Sequence, residues 1–161
     1  MTRLADDDAA ELHRRTYQAN RRCVEGALEL VTHLKSRLRI AVVTNNTLAE
    51  QREKLATFGF APLVDALVTS EEVGAAKPDA RIFAAALERV ACEPHEAVMI
   101  GDAWHHDVVG ATSAGIRALW LNRHGLPHPD PSLAMQILAL HPVEHVAALV
   151  APDHALLNRD L

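Results

Sequence analysis

The sequence predicts an α/β fold in which helices cover both faces of a parallel β-sheet, a three-layer α/β/α sandwich. Strand-like runs alternate with helix-like segments along the chain, as a parallel sheet requires. The runs are short, continuous and apolar, which is typical of strands buried on both faces. Each of them stops abruptly at polar or glycine residues. They are RIAVV at 39–43, ALVTS at 66–70, AVMI at 97–100 and RALWL at 117–121.

Helix signals lie between these runs. Residues 25–36 place apolar side chains on one face at spacings of three. Thr47 opens a second helix as an N-cap, and Asp79, after the loop EEVGAAKP, opens a third. A fourth begins near His105 and ends at Gly115. In the tail, SLAMQILAL and VEHVAALV predict one short strand or helix and a terminal helix, which periodicity does not separate.

The composition limits the partners and the surroundings of the protein. The 161 residues are 49% hydrophobic and 23% charged, which is ordinary for a globular domain. A formal charge of −5 argues against a nucleic-acid partner, because phosphate backbones bind basic faces. No apolar run is long enough for a membrane span, and the first residues lack the apolar stretch of a signal peptide. The two cysteines have no close-spaced partners, so we expect a cytoplasmic protein with free thiols.

Candidate functional residues follow three of the predicted strands. In an open parallel sheet, ligands bind at the carboxyl ends of the strands. Successive candidates are about one strand-plus-helix unit apart, so the sheet delivers them to the same edge. Together they offer a hydroxyl and amides for phosphate oxygens, a cation for developing charge and a carboxylate for a hard metal ion. They are Thr44 and Asn45 after the first strand, Lys77 after the second, and Asp102 and Asp107 after the third.

Three segments carry a family resemblance. VVTNN, AAKPD and MIGDAWHHDVVGATSAG resemble motifs two, three and four of the haloacid dehalogenase (HAD) superfamily of hydrolases, in their family order. The resemblance runs from about Val24 to Gly125 and implies a Rossmann-like core. Gly101-Asp102 implies the phosphatase branch, because the dehalogenase branch lacks a metal-binding Asp at this place. The implied function is magnesium-dependent hydrolysis of a small phosphomonoester through an aspartyl-phosphate.

The resemblance also implies a role for each candidate residue. Thr44 would hydrogen-bond the phosphoryl group, with the backbone or side chain of Asn45 assisting. Lys77 would neutralise charge on the nucleophile and on the transferred phosphoryl group. Asp102 would hold Mg²⁺ directly or through water, and Asp107 would orient Lys77 or the water shell of the metal. Because Mg²⁺ prefers oxygen ligands, Asp102 needs at least one more carboxylate.

The nucleophile that the resemblance requires is absent from the sequence. In the family it belongs to motif one, DxDxT, at the end of the central strand, and no apolar run here leads into Asp-x-Asp. Asp6-Asp7-Asp8 predicts the acidic first turn of a helix instead. Residues 5–22 resemble the last helix of a helical cap, so we expect a cap remnant at 1–22 and a core at 23–161. Without the central strand, two buried strand edges would lack partners.

Three explanations of this gap stay open. The start is wrongly placed or the protein truncated; or the chain is a natural remnant that pairs with itself, as a homodimer, or with a partner; or a separate polypeptide supplies motif one. We expect the chain alone to be inactive. The alternative functions are an inactive binding or assembly module and, less favoured, a haloacid dehalogenase. The cap supplies most substrate contacts in the family, so the substrate, a small phosphorylated metabolite, is not defined further.

A few other residues have two interpretations. Trp104 either lines the mouth of the pocket or packs against the neighbouring loop. His105 and His106 either bind a transition metal with Asp107 or lie exposed at a helix start, which is the favoured interpretation. Asn122-Arg123 follows a strand end, where it either contacts substrate or anchors the loop.

Overall fold

The structure, a computed structural model, describes residues 22–151. The strands are β1 (Ala41–Thr44), β2 (Ala66–Thr69), β3 (Val98–Gly101), β4 (Arg117–Leu121) and β5 (Met135–Ile137). The helices are α1 (Ala27–Lys35), α2 (Leu48–Thr57), α3 (Ser70–Val73), α4 (Ala80–Arg89), α5 (Gly110–Ser113) and α6 (Val143–Val150). A π-helical segment, Trp104–Val109, leads into α5, and 3-10 turns form at Ala61–Leu63 and Pro94–Glu96.

The predicted elements are present within the described residues, with three refinements. The predicted loop after β2 contains the single turn α3, whose N-cap Thr69 accepts a hydrogen bond from the backbone of Glu72. The helix predicted near His105 begins one residue earlier and is π-helical at first. The tail forms a strand and then a helix, β5 and α6. The helix predicted at 5–20, and with it all but the last residue of the predicted cap remnant at 1–22, lies outside the described residues.

The strands form two parallel sheets. β1 pairs with β2, with Ala41 opposite Ala66. The other sheet has the order β3-β4-β5, with Val98 opposite Arg117 and Leu119 opposite Met135. Within residues 22–151 no strand pairing joins the two sheets, so one edge of β1 and one edge of β3 are open. We call the space between these two edges the strand gap.

The two sheets share one hydrophobic core. Val68 of β2, Phe83 of α4, Val108 of the π-helical segment and Trp120 of β4 belong to a single buried cluster. A second cluster, on the other face of β3-β4-β5, packs these strands against α1 and α6. Helices therefore cover both faces of this sheet, which confirms the predicted three-layer α/β architecture. No helix in the described range 22–151 has the length and apolarity to cross a membrane.

The burial of the strands marks the position of the gap. β2 and β4 are largely buried, whereas every residue of β3 is half-buried and β1 is half-buried or exposed. The expectation that both unpaired edges would be buried is met only in part, since β3 is half-buried and β1 is half-buried or exposed. In a covered parallel sheet the strands are buried on both faces, so the partial exposure of β1 and β3 fits a position between them that no strand of residues 22–151 fills.

The N-cap of α4 gives a measurable pH dependence. Asp79 Oδ1 accepts hydrogen bonds from the Arg81 backbone N–H at 2.9 Å and the Arg81 guanidinium at 3.1 Å. The guanidinium bond first, and then the backbone bond, lower the pKa of Asp79 from 3.8 to about 2. A carboxyl group whose pKa is lower in the folded state stabilises the fold above its unfolded pKa. This contribution is lost as the pH falls from about 4 to about 2.

We expect the Asp79 carboxyl carbon to titrate near pH 2 in NMR spectra. Between pH 4 and pH 2 the free energy of unfolding, measured by urea titration, should fall less in the Asp79→Ala variant than in the wild type. The reason is that the variant has no ionised cap to protonate. Asp79→Asn is the matched control, since it keeps a cap acceptor without the charge. Titration of Asp79 at its ordinary value near 3.8 would show that the cap does not hold the carboxylate.

Candidate active site

Lys77 is held at the end of β1 by the side chain of Asn45. Asn45 Oδ1 accepts a hydrogen bond from Lys77 N at 2.6 Å, and Asn45 Nδ2 donates to Lys77 O at 3.0 Å. The amide thus binds both backbone groups of one residue and ties the loop after α3 to the end of β1. Sequence analysis left open whether the backbone or the side chain of Asn45 assists phosphate binding. The side chain binds Lys77 through Oδ1 and one N–H of Nδ2, so the geometry favours the backbone N–H as the group that would assist.

The Lys77 ammonium group lies at the open edge of β1. Its Nζ donates to Asp107 Oδ1 at 2.7 Å and to the carbonyl of Val43 at 2.9 Å. The Ile40 carbonyl accepts a bond from Ala66 N and so points towards β2. Because successive carbonyls of a strand alternate in direction, the Val43 carbonyl points away from β2, into the strand gap. An ammonium group has three N–H donors, so one remains for a ligand in the gap.

Asp107 positions Lys77. Its Oδ1 accepts from Lys77 Nζ, and its Oδ2 accepts from the backbone N–H of Ala103 at 3.0 Å. Both side chains of the pair are nearly buried, with 12% of Lys77 and 7% of Asp107 exposed. Of the two roles expected for Asp107, this geometry fits the orientation of Lys77. Each carboxylate oxygen already accepts one hydrogen bond, and the side chain is nearly buried, so it is less accessible to a metal ion than Asp102 is.

Two glycines make this arrangement sterically accessible. A Cβ atom on Gly101 would lie 2.4 Å from Asp107 Oδ2, so only glycine allows the carboxylate to lie against the end of β3. A Cβ atom on Gly110 would lie 2.8 Å from the Phe83 ring and 3.0 Å from the Cα atom of Pro78. The absence of that atom lets the start of α5 approach α4 and the residue after Lys77.

The Asp102 carboxylate is open to solvent. Its side chain is 57% exposed, and its Oδ2 accepts a hydrogen bond from Arg123 Nη2 at 2.9 Å. Its backbone carbonyl accepts from Trp120 Nε1 at 3.1 Å, which fixes the main chain just beyond β3. An exposed carboxylate with oxygen donors fits Mg²⁺, which binds one or two carboxylates and keeps several waters. Residues 22–151 contain no cluster of three His, Cys, Asp or Glu side chains, so Asp102 would provide only part of such a site.

The other candidates on the segment after β3 differ in burial, since Trp104 is half-buried whereas the two histidines are exposed. Trp104 packs edge-on against the rings of Trp120 and His128, with centroids 5.2 and 5.3 Å away. It therefore contacts the loop after β4, in agreement with the second of its two interpretations. His105 and His106 are both exposed at the helix start, with ring centroids 5.5 Å apart.

Thr44 ends β1, between Val43 and Asn45, the two residues that bind Lys77.

Asn122 and Arg123 have different roles, which the sequence did not separate. Asn122 is buried and anchors the loop, because its side chain bonds to the backbone of Leu126 and to Gln136 Oε1. Arg123 projects to Asp102 instead. Nothing in the sequence indicates that the indole of Trp120 binds Asp102. The two residues are 18 positions apart in the chain, and no local pattern predicts such a bond.

We expect the buried Lys77–Asp107 pair to dominate the stability of this region. Lys77→Met should lower the free energy of unfolding by about 3 kcal/mol, because it leaves a buried carboxylate without its cation. Lys77→Met combined with Asp107→Leu should be less destabilised than Lys77→Met alone. Urea unfolding measures both. Lys35→Met is the control, since it breaks the more exposed Lys35–Asp65 pair and should cost at most about 1 kcal/mol. Equal losses in the single and double variants would contradict the pairing.

Comparisons with known proteins identify the family of the chain. A family model described as haloacid dehalogenase-like hydrolase matches residues 4–121. The glyceraldehyde 3-phosphate phosphatase of Methanothermobacter thermautotrophicus is 43% identical over 90 residues, which are 55% of this chain and 40% of that protein. The chain spans 34 to 55% of the lengths of eight curated relatives that it matches.

Solved structures share the fold. A HAD phosphatase from Thermococcus onnurineus has a TM-score of 0.73 and 31% identity, covering 78% of this chain and 58% of its own. The HAD-hydrolase YfnB from Bacillus subtilis, bound to magnesium, has a TM-score of 0.67 and 26% identity, covering 76% of this chain and 54% of its own. The family model covers well over half of the chain and includes Thr44, Lys77, Asp102 and Asp107. This chain belongs to the haloacid dehalogenase-like hydrolase family.

Proposed function

We propose that this chain supplies the phosphate-binding and charge-neutralising part of a magnesium-dependent phosphomonoester hydrolase. One observation carries the proposal: the Lys77 ammonium group is fixed at the strand gap by Asp107 and the Val43 carbonyl. This ammonium group is nearly buried and has one N–H donor that is not used, so it can bind an anion that enters the gap. Phosphatases among the relatives support the same reaction class.

Each residue of the site has a defined part in this proposal. The Thr44 hydroxyl and the Asn45 backbone N–H bind phosphoryl oxygens at the end of β1. Lys77 neutralises the charge that develops on those oxygens, and Asp107 keeps its ammonium group in place. Asp102 holds the magnesium ion, which when bound stabilises the negative charge of the phosphoryl group. A relative in fold, YfnB, binds magnesium.

The strand gap is the proposed place of the nucleophile. A parallel strand inserted there could pair with the open edges of both β1 and β3. A carboxylate at the end of that strand would lie beside Lys77 and Asp102 and would complete the metal site. Its oxygen would bond to phosphorus as the bond from phosphorus to the substrate alcohol breaks, and water would then hydrolyse the aspartyl-phosphate and release inorganic phosphate. Three sources of such a strand are open: a preceding segment of a longer protein, a second copy of the chain, or a separate polypeptide.

The open edges also favour a second candidate function. Strand edges with unpaired N–H and C=O groups are templates for other strands. A chain that accepts a strand without a nucleophile would be a binding or assembly module of the HAD fold. The exposed Asp102 favours the phosphatase over this candidate and over a haloacid dehalogenase, since a carboxylate so placed suits a metal ion.

A cytoplasmic location and a small phosphorylated metabolite as substrate complete the proposal. Cys23 and Cys92 are both free thiols, as a reducing compartment would keep them. Burial raises the pKa of the Cys92 thiol, so it stays protonated and unreactive at neutral pH. The residues that would distinguish one phosphomonoester from another belong to parts of the site beyond Lys77 and Asp102, and the relatives differ in the substrates that their names give.

We expect residues 1–161 alone to hydrolyse p-nitrophenyl phosphate with Mg²⁺ no faster than buffer. The physical reason is that no carboxylate of residues 22–151 is placed to face Lys77 across the gap as a nucleophile, and loss of such a nucleophile typically costs several orders of magnitude in rate. A synthetic peptide with a short β-branched apolar run followed by Asp-x-Asp should then restore turnover. The matched control peptide carries Asn in place of the first Asp and should bind without restoring activity.

Two outcomes would change the conclusion. Turnover by the chain alone that disappears in Asp102→Ala would show that the nucleophile is already present. Peptide binding without turnover, for both peptides, would favour the binding module over the phosphatase.

A further inference from the structure

Asp102 already has a cationic partner from within the chain. The contact is a single one, from Arg123 Nη2 to Asp102 Oδ2 at 2.9 Å. A guanidinium group can bind both oxygens of a carboxylate with two parallel bonds, and this one does not. The carboxylate that the proposed function assigns to Mg²⁺ is therefore bound by a competing cation through one of its oxygens.

The backbone on both sides of this contact is fixed. Beside Arg123, Asn122 donates its backbone N–H to Ile137 O at 2.8 Å, which extends the pairing of β4 with β5. The buried Asn122 side chain closes the following loop. On the other side, Trp120 Nε1 holds the carbonyl of Asp102. The pair can therefore open through rotation of two side chains, without movement of either strand.

The pair is weak enough for a divalent ion to displace. The side chains of Arg123 and Asp102 are 38% and 57% exposed, so water screens their attraction. Exposed ion pairs of this kind change an equilibrium constant by at most about fivefold. The buried Lys77–Asp107 pair nearby differs in this respect, because its burial and its additional bonds to backbone groups hold it closed.

We propose that Arg123 is a displaceable counter-cation of Asp102: it occupies the carboxylate when no metal is bound and gives way to Mg²⁺. The inference rests on the proposed function, because it takes Asp102 as the metal ligand. Once displaced, the guanidinium group of Arg123 has free N–H donors. These donors can bind an anionic ligand that arrives with the ion. Arg123 thus sets the metal affinity of the site as a competitor, whereas a residue that merely positions Asp102 would raise it.

The sign of one substitution separates these roles. Arg123→Gln removes the competitor, so we expect the chain to bind Mg²⁺ about two- to fivefold more tightly than the wild type. A positioning role for Arg123 predicts the opposite, weaker binding in the same variant. Arg123→Lys keeps the charge and should remain close to the wild type.

The experiment is an Mg²⁺ titration of the 161-residue chain, alone and with the Asp-x-Asp peptide bound, followed by calorimetry and by intrinsic fluorescence. The sequence has two tryptophans, Trp104 and Trp120, and both lie beside Asp102, so their emission reports on this site without any enzymatic assay. Arg37→Gln is the matched control for net charge, since this exposed arginine precedes β1 at the opposite end of the sheet. Asp102→Asn defines the signal of the site and should abolish it.

Each outcome decides a different point. Tighter binding by Arg123→Gln, with Arg37→Gln unchanged and Asp102→Asn silent, supports the inference. Unchanged or weaker binding by Arg123→Gln overturns it, and leaves the proposed metal site intact if Asp102→Asn is silent. Absence of a response in the wild type even with the peptide bound, or an undiminished response in Asp102→Asn, removes the metal site of the proposed function and the inference with it.

Discussion

The ion pair between Lys77 and Asp107 is the interaction on which the rest of this site depends. It joins two sheets that share a core but, within residues 22–151, no strand pairing, since Lys77 follows β2 and Asp107 follows β3. The bond from Lys77 to the Val43 carbonyl fixes the ammonium group at the edge of β1. A nearly buried charge requires a partner and further hydrogen bonds, and the surrounding loops are arranged to provide them.

The supporting residues act on the backbone as much as on side chains. Asn45 binds the main chain of Lys77, Trp120 binds the main chain of Asp102, and the N–H of Ala103 binds Asp107. Gly101 provides the space in which the Asp107 carboxylate lies. Polar side chains that bind backbone groups hold a loop in one position without a large core beneath it, which suits residues at the ends of short strands.

The helices and strands of the fold were largely predictable from the sequence, whereas the side-chain contacts between loops were not. Continuous apolar runs reveal buried parallel strands, and the caps Thr47 and Asp79 reveal helix starts, because these signals are local. The motif spacing also placed Lys77, Asp102 and Asp107 at one sheet edge. The bonds of Asn45 to Lys77 and the contact of Arg123 with Asp102 depend on loop conformation. The partial exposure of β1 and β3 depends on what lies between these strands. No periodicity in the sequence reports such features.

The open edge of β1 has a consequence for self-association. Uncharged strands with unpaired backbone groups invite the edge of another molecule, and natural sheets protect such edges with lysine, proline or a covering element. β1 itself, AVVT, has no charged residue. Lys77 covers one point of this edge, because its ammonium group binds the outward carbonyl of Val43. A second strand that pairs along β1 therefore meets a fixed positive charge at the end of the edge, and a partner that carries a carboxylate at that point is favoured over one that does not.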